Sequence, residues 1–423
     1  MALSPSMTVV AQETVLAIEF DFANPGARSV GFGGAFAGLA DDATAAFANP
    51  AGLVQLVRPE ISLEGRFWGF DTPYTAGGRI SGEPTGIGVD TTAGLRIAES
   101  SNDIVGVSFA SVVYPRGRWR LAAYRHQLAN FEFSSETQGL IRSVPEGPPG
   151  AVERFSEQRS SVDFEIVSHA LAAAYRVTEE VSVGVGVSYF DGDLRATSAL
   201  YNATSLFDPN PYLLEDLEMI TVFSIDSTDW GFSGGLMWKI ADRWRLGGFF
   251  REGPDFELRA EVFSGPGLPL PPGSLLGSVS SPVELPDVYG LGIAFRSRDD
   301  ALTVGFEWDR VEYASIVESL DPGSFERTAT IDDGDELHLG AKYVFLRSSP
   351  VIAVRAGVWH DPEHRLRATD DAGFVITALR QPGDDELHVA AGVGVVFNRV
   401  QFDLGVDLSE LVDTVSISAI YGF

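Results

Sequence analysis

From Pro59 to Phe423 the sequence alternates with a period of two, and this property restricts what the chain can fold into more than any other. Ile61, Leu63 and Phe67 are interleaved with Ser62, Glu64, Arg66 and Trp68, and Val181, Val183, Val185, Val187 and Tyr189 with Ser182, Gly184, Gly186 and Ser188. The same pattern returns at Leu302/Val304/Phe306/Trp308, Leu337/Leu339/Ala341/Tyr343/Phe345, Val400/Phe402/Leu404/Val406/Leu408 and Val415/Ile417/Ala419/Tyr421/Phe423. Successive side chains of a strand point to opposite faces, so one face here is apolar and the other is polar or glycine. Such a strand is either half-buried in a core or faces lipid from a barrel wall.

About fourteen such segments can be marked, near 59–70, 103–114, 118–134, 160–176, 180–200, 218–239, 242–263, 284–297, 300–316, 334–346, 351–360, 385–397, 399–409 and 413–423. Long connections rich in Gly, Pro, Asp and Ser, at 71–102, 135–159, 201–217, 264–283, 317–333 and 361–384, alternate with turns of a few residues near Arg116, Thr178, Ala241, Arg298, Ser348 and Asn398. Outer-membrane barrels show this asymmetry, with short periplasmic turns and long outer loops, and an even strand count returns both ends to one side. A soluble β-sandwich also alternates, but its strands are commonly five or six residues, and many of these run to ten or more. Trp119, Trp238, Trp244, Trp308, Tyr343 and Tyr421 fall on the apolar parity near strand ends, where interfacial aromatic girdles sit. The expected fold is an all-β, membrane-spanning antiparallel barrel of about 14 strands.

Charge and composition narrow the function. With 59 acidic against 30 basic residues the net charge is −29, which argues against a nucleic-acid partner because such surfaces need a cationic footprint. The absence of cysteine removes thiolate metal sites, cysteine catalysis and disulfides, and suits a chain that crosses an oxidising periplasm unfolded. Apolar runs fall well short of the 18 or so residues of a spanning helix. Residues 1–13 have no basic region, yet Val9-Val10-Ala11 is similar to the end of a secretory signal; a shortened signal peptide and an ordinary disordered tail are both open readings.

Residues 14–57 have another style. They are rich in Gly and Ala, with Asp41 and Asp42 placed to cap a short helix from Ala43 to Phe47, and with Asn49 and Pro50 as an N-cap and first-turn pair for a second. Gly31, Gly33, Gly34 and Gly38 allow close backbone approach, as a plug against a wall requires. The expected division is therefore 1–13 terminus, 14–57 plug and 58–423 barrel.

Gly26-Ala27-Arg28, Gly31 to Ala35, Ala40-Asp41-Asp42-Ala43 and Asn49-Pro50-Ala51-Gly52-Leu53 together resemble the N-terminal hatch of the FadL/TodX family of outer-membrane transporters of hydrophobic compounds. Leu285 to Tyr289, Val354 to Trp359 and the terminal Phe423 extend the resemblance over nearly the whole chain. It implies a multi-pass protein of the Gram-negative outer membrane, inserted by the barrel assembly machinery, monomeric, and surrounded by lipid and lipopolysaccharide. It further implies that a hydrophobic small molecule such as a long-chain fatty acid is captured outside, held between hatch and barrel, and released sideways without an energy source. The alternative within the family is a barrel resembling PorV of the type IX secretion system, a scaffold or shuttle whose loops bind protein partners.

Strand parity independently places Arg66, Arg120, Arg245, Arg251, Lys342 and Arg355 in the lumen, with Glu64, Glu307, Asp309, Asp403 and Asp407 as partners. Arg245, Arg251, Lys342 and Arg355 are candidates for a carboxylate head group, since an arginine fork binds carboxylate bidentately; the competing role is an arginine–carboxylate ladder that only holds the lumen together. Phe32, Phe36 and Phe47 are candidates for the apolar part of a ligand or for hatch packing. In the third strand Trp119, Leu121, Ala123, Phe131 and Phe133 share a parity that would turn Arg125 and Gln127 toward lipid, so either a bulge near Tyr124 resets the phase or the wall is not sealed there. The family resemblance implies a kinked third strand with a lateral opening. No enzymatic activity, cofactor or metal is expected: Gly31-Phe32-Gly33-Gly34 lacks the strand–turn–helix setting of a nucleotide loop, and Pro362 breaks the helix that would align His360 with His364.

Overall fold

The structure, a computed structural model, describes residues 24–144, 147–148, 150–155, 157–202, 212–320 and 328–423. The expected terminus 1–13 and residues 14–23 of the expected hatch lie outside the described residues. Fourteen antiparallel strands form the wall: β1 Glu60–Ser81, β2 Leu95–Arg116, β3 Trp119–Thr137, β4 Glu157–Arg176, β5 Val181–Tyr201 and β6 Leu217–Ala241. β7 and β8 are each made of two pieces, Trp244–Arg251 with Asp255–Ser264 and Leu275–Glu284 with Val288–Arg296. The ring continues with β9 Leu302–Val311, β10 Gly334–Phe345, β11 Val351–Asp361, β12 Glu386–Phe397, β13 Val400–Leu408 and β14 Val412–Gly422. It closes where β14 pairs with β1, from Glu60↔Gly422 to Phe70↔Val412. Closure removes the edges that an open sheet would expose to lipid.

The outward parity is apolar, and its aromatic residues form two belts. Trp119, Trp238, Trp244, Tyr343 and Tyr421 are exposed near the short turns, and Trp230, packed on Tyr189, lies higher. From Trp238 to Trp230 the strand covers about 26 Å, or about 20 Å along the membrane normal at a tilt of about 40°. The short turns and Phe423, whose N–H donates to the Pro59 carbonyl, share the lower end.

Several expected boundaries move. β1 and β2 run to Ser81 and from Leu95, so the connection expected at 71–102 shrinks to 82–94, and β8 begins at Leu275 inside the expected loop 264–283. These extensions lie above the upper belt, where both faces meet water or loops and the apolar alternation has no cause. β9 ends at Val311, and Ser315–Glu318 is a helical turn, where strand was expected to 316.

The hatch sits low in the lumen as α1 Ala27–Val30, α2 Ala45–Ala48 and a 3-10 turn Pro50–Gln55. Asn49 caps that turn as expected, its Oδ1 accepting from Ala51 N–H at 3.1 Å. Asp42 acts one step before α2, accepting from Thr44 N–H at 2.8 Å. Where the hatch backbone comes nearest to the wall, the wall residue is repeatedly glycine. A Cβ at Gly305 would stand 2.8 Å from the Phe32 ring, one at Gly292 2.7 Å from Gly38 N, and one at Gly392 3.0 Å from Gly31 Cα. Gly184, Gly235, Gly247, Gly340, Gly357 and Gly405 face Pro50, Asn49, Ala37, Phe32, Gly33 and Ala27 in the same way. Gly340→Val should therefore push the hatch from the wall, at a cost of about 1–3 kcal/mol. Steady ion conductance in planar bilayers should appear in that variant and be absent from the parent protein.

Candidate functional site

The hatch is held by ions as well as by shape. Arg28 is forked between Asp41 and Asp42, at 2.5 and 2.8 Å, and Asp41 also faces Arg296 at 3.4 Å and Lys342 at 3.7 Å. Glu64 of β1 accepts from Gly26 N–H at 2.7 Å and pairs with Arg66 at 2.9 Å. Glu307 of β9, fully buried, accepts from Ala37 N–H at 2.5 Å. Asn49 Nδ2 donates to the Ala37 carbonyl at 3.0 Å and to the Leu236 carbonyl of β6 at 3.2 Å. Breaking one side of such a buried pair leaves an uncompensated charge and costs about 3–5 kcal/mol.

The structure does not gather the four candidate head-group cations. Arg355 pairs with Asp403 at 2.9 Å, and Lys342 belongs to the Asp41 cluster. Arg245 donates to Gln55 of the hatch and lines a vestibule of about 440 Å³ on the short-turn side, with Asp41, Arg176, Lys239 and Arg296. Arg251 alone of the four lies on the outer side of the hatch, its guanidinium 4.3 Å from the Phe47 ring centre and 4.4 Å from that of Phe249. Phe32 and Phe36 are buried within the hatch–wall packing, whereas Phe47 stands against Tyr124 and His126 of β3, its ring centre 6.4 and 4.4 Å from theirs.

Above the hatch three cavities share walls. The outermost, about 320 Å³, lies between the tops of β1 and β2 and the loop 362–385, lined by Thr72, Tyr74, Ile97, Leu366, Leu379 and Arg380 among others. Arg365, Glu386 and Leu411 pass from its wall into a second cavity of about 30 Å³, which Phe70, Trp359, His364 and His388 also line. Trp359 then joins this to a third, also about 30 Å³, lined by Asn24, Gly34, Arg251, Asp309, Glu336 and His338.

The wall beside this route is incomplete. β2 and β3 are paired from Arg116↔Trp119 to Phe109↔His126 and no farther. β2 nonetheless stays paired with β1 up to Gly78↔Leu95, and β3 with β4 up to Thr137↔Gln158. The register of β3 against β4 shifts between Gln127 and Ala129, so the bulge lies at Leu128 and not near Tyr124. Below it even residues such as Arg120, Ala122, Tyr124 and His126 point inward; above it Phe131 and Phe133 do. The bulge turns Phe131 and Phe133 inward but leaves Arg125 on the outer face, as its parity predicts, where it donates to the Val107 carbonyl, while Gln127 is buried and donates to Glu165 at 2.5 Å. Higher up, Ser134 N–H donates to Ser100 Oγ at 3.1 Å. Behind the gap Phe70 packs edge-on to Phe131 at 5.4 Å and Tyr74 to Phe133 at 6.1 Å, linking it to the cavity walls.

Residues 154–414 match the family described as outer membrane protein transport protein (OMPP1/FadL/TodX). The chain belongs to this family. No curated protein matches the sequence. Among solved structures, a Pseudomonas aeruginosa FadL homologue is similar at TM-score 0.64 and 17% identity, covering 95% of this chain and 99% of its own. The P. putida toluene transporter TodX gives 0.59 at 16%, covering 95% and 99%, and the CymD monoaromatic hydrocarbon channel gives 0.58 at 16%, covering 96% and 99%. The closed barrel of fourteen strands with its hatch is thus a FadL/TodX fold in an outer-membrane protein.

Within this family member, sequence reasoning overlooked Glu336, His338, Trp359 and His388. They share the inward parity of β10, β11 and β12, and Glu336-x-His338 beside Glu307-x-Asp309 on the paired strand was the signal available. The outer loop also holds a charge. Burial would lower the His364 pKa, but Asp361 at 3.4 Å and the Pro362 carbonyl at 3.0 Å favour the proton and push it up to about 10. A raised histidine pKa contributes stability fully present below about 6.5 and lost as pH rises through about 10. His364 also stacks on Tyr313 at 4.5 Å. Limited proteolysis by subtilisin should therefore spare loop 362–385 at neutral pH and cut it above about pH 10, and His364→Gln should be cut already at neutral pH.

Proposed function

We propose that this chain takes up hydrophobic small molecules passively, long-chain fatty acids among them, and releases them sideways through the wall between β2 and β3. The observation that carries the reading is the end of the β2–β3 ladder at Phe109↔His126, beside cavities and aromatic side chains on the outer side of a sealed hatch. A polar solute gains nothing there, because the lumen below is filled and the outer face beside the gap carries the exposed Val105 and Val107. An apolar one exchanges the aromatic lining of Phe70, Phe109, Phe131 and Phe133 for lipid, with no hydrated step between. The toluene and monoaromatic hydrocarbon channels that share this fold support an apolar cargo. For a carboxylate cargo Arg251 is the head-group partner, since Lys342 and Arg355 are matched to Asp41 and Asp403 and Arg245 is below the hatch.

Removing Leu128 tests lateral release. The alternation would then run unbroken from His126 to Phe131, allowing β3 to pair with β2 farther up. Uptake of radiolabelled oleate by cells carrying the deletion should fall several-fold while the barrel still assembles, and unchanged uptake would sink the lateral route. Arg251→Ala tests the head group: oleate affinity should weaken about tenfold and affinity for a neutral hydrocarbon should not change. Mass spectrometry of the protein from native membranes should find an apolar compound; a stoichiometric protein partner and no such compound would favour the scaffold reading.

A further inference from the structure

The third cavity carries chemistry that hydrophobic transport does not use. His338 of β10 stands between hatch and wall, with Nδ1 3.0 Å from the Gly33 carbonyl oxygen. A carbonyl can only accept, so Nδ1 bears a hydrogen, and Nε2 on the other side is a lone pair when the ring is neutral and a second donor when it is protonated. That side holds carboxylates: Glu336 Oε2 at 3.2 Å and Asp309 Oδ2 at 3.8 Å. One ligand atom from each of the three residues lies within 4.8 Å of the others. With the ring neutral, three electron-pair donors face one another and repel unless a cation lies between them; a second ring proton on Nε2, donated to Glu336, is the charge that a metal ion would replace.

Two further observations favour a cation there. Asp309 is 5% exposed and lines the cavity, and neither its Oδ1 nor the Oε1 of the neighbouring Glu307, 0% exposed, meets a basic side chain or a backbone N–H among the described residues. The adjacent cation, Arg251, lies between Phe47 and Phe249 and donates to Asn24 at 3.2 Å. A cavity of about 30 Å³ admits an ion with a bound water.

We propose that Asp309, Glu336 and His338 bind one divalent transition-metal ion, of which zinc is the best match, at the outer face of the hatch. One imidazole with two carboxylates suits zinc better than calcium or magnesium, which take oxygen alone. The surroundings match a metal's outer shell: the Gly33 carbonyl fixes the tautomer, and Trp359 stacks on the His338 ring at 5.1 Å while donating to Asp407 at 2.7 Å. Because Gly33 belongs to the hatch, a metal on Nε2 strengthens the Nδ1–H···O bond and fastens hatch to wall.

The test uses the full chain, without an affinity tag, in detergent and stripped by chelator. Calorimetric titration with zinc at neutral pH should show one equivalent bound in the micromolar range or tighter. Glu336→Gln and Asp309→Asn should each weaken it at least about tenfold, the loss that even outer-shell partners show. His360→Asn, on the exposed His360–Asp385 pair, should not change it. Heat-modifiable migration on gels confirms that each variant has assembled. Should Glu336→Gln or Asp309→Asn not assemble, a third variant decides: Ni2+ on His338 should quench fluorescence of the parent protein, one of whose seven tryptophans is Trp359, and Trp359→Phe should lose that quench. No uptake by the parent, uptake unchanged in assembled Glu336→Gln and Asp309→Asn, or no Trp359 quench would each overturn the proposal. Oleate uptake is a separate measurement, so failure here leaves the transport reading standing.

Discussion

The structure depends on how closely the hatch backbone approaches the barrel wall. Gly305, Gly340 and Gly357 are register partners on β9, β10 and β11, as are Gly392 and Gly405 on β12 and β13, Gly247 and Gly292 on β7 and β8, and Gly184 and Gly235 on β5 and β6. They form a band at one height where hatch backbone replaces wall side chains. A lumen of fourteen strands is too wide to be filled by the side chains of its own wall, so something must occupy it or it conducts. Glycine on the wall and Gly and Ala on the hatch let two backbones meet without voids, which is the condition for sealing.

Charge is arranged around that seal rather than across it. Arg28 with Asp41 and Asp42, Glu64 with Arg66, and Glu307 on the Ala37 N–H each join hatch to wall or stiffen one side of the joint. Of the four cations that strand parity singles out, Arg251 is the one that lines the cavities above the hatch. Above the seal the wall changes character: β1 to β6 rise past the upper aromatic belt, and β3 leaves β2 at Phe109↔His126. A single extra residue, Leu128, turns Phe131 and Phe133 inward and keeps Arg125 near the Val107 carbonyl. In a lipid setting unpaired backbone is costly, and the Arg125 donor offsets part of that cost.

Much of this was legible in the residues. The barrel, its strand count and its sidedness follow from alternation and from the long–short rhythm of connections, and Asn49-Pro50 marks its turn because capping is local chemistry. The third strand announced its own irregularity, since no single parity kept both Phe131 and Arg125 on favourable faces. Its position, four residues beyond Tyr124, could not be read, because Gln127 and Leu128 are compatible with either face until the partner strand is known. The breaks in β7 and β8 at residues 252–254 and 285–287 were hidden for the same reason.

The sequence by itself determined the period, the closed all-β wall, the small-residue plug and the family, since each rests on local spacing or on which face of a strand a residue takes. Only the tertiary structure decided which cation stands beside which acid, that Arg245 and Arg251 lie on opposite sides of the hatch, and that Glu336 and His338 meet Asp309 behind Gly33. Parity says that a side chain points inward, but not at what height nor opposite what neighbour. Those depend on the stagger of fourteen ladders and on where the hatch comes to rest against its glycines.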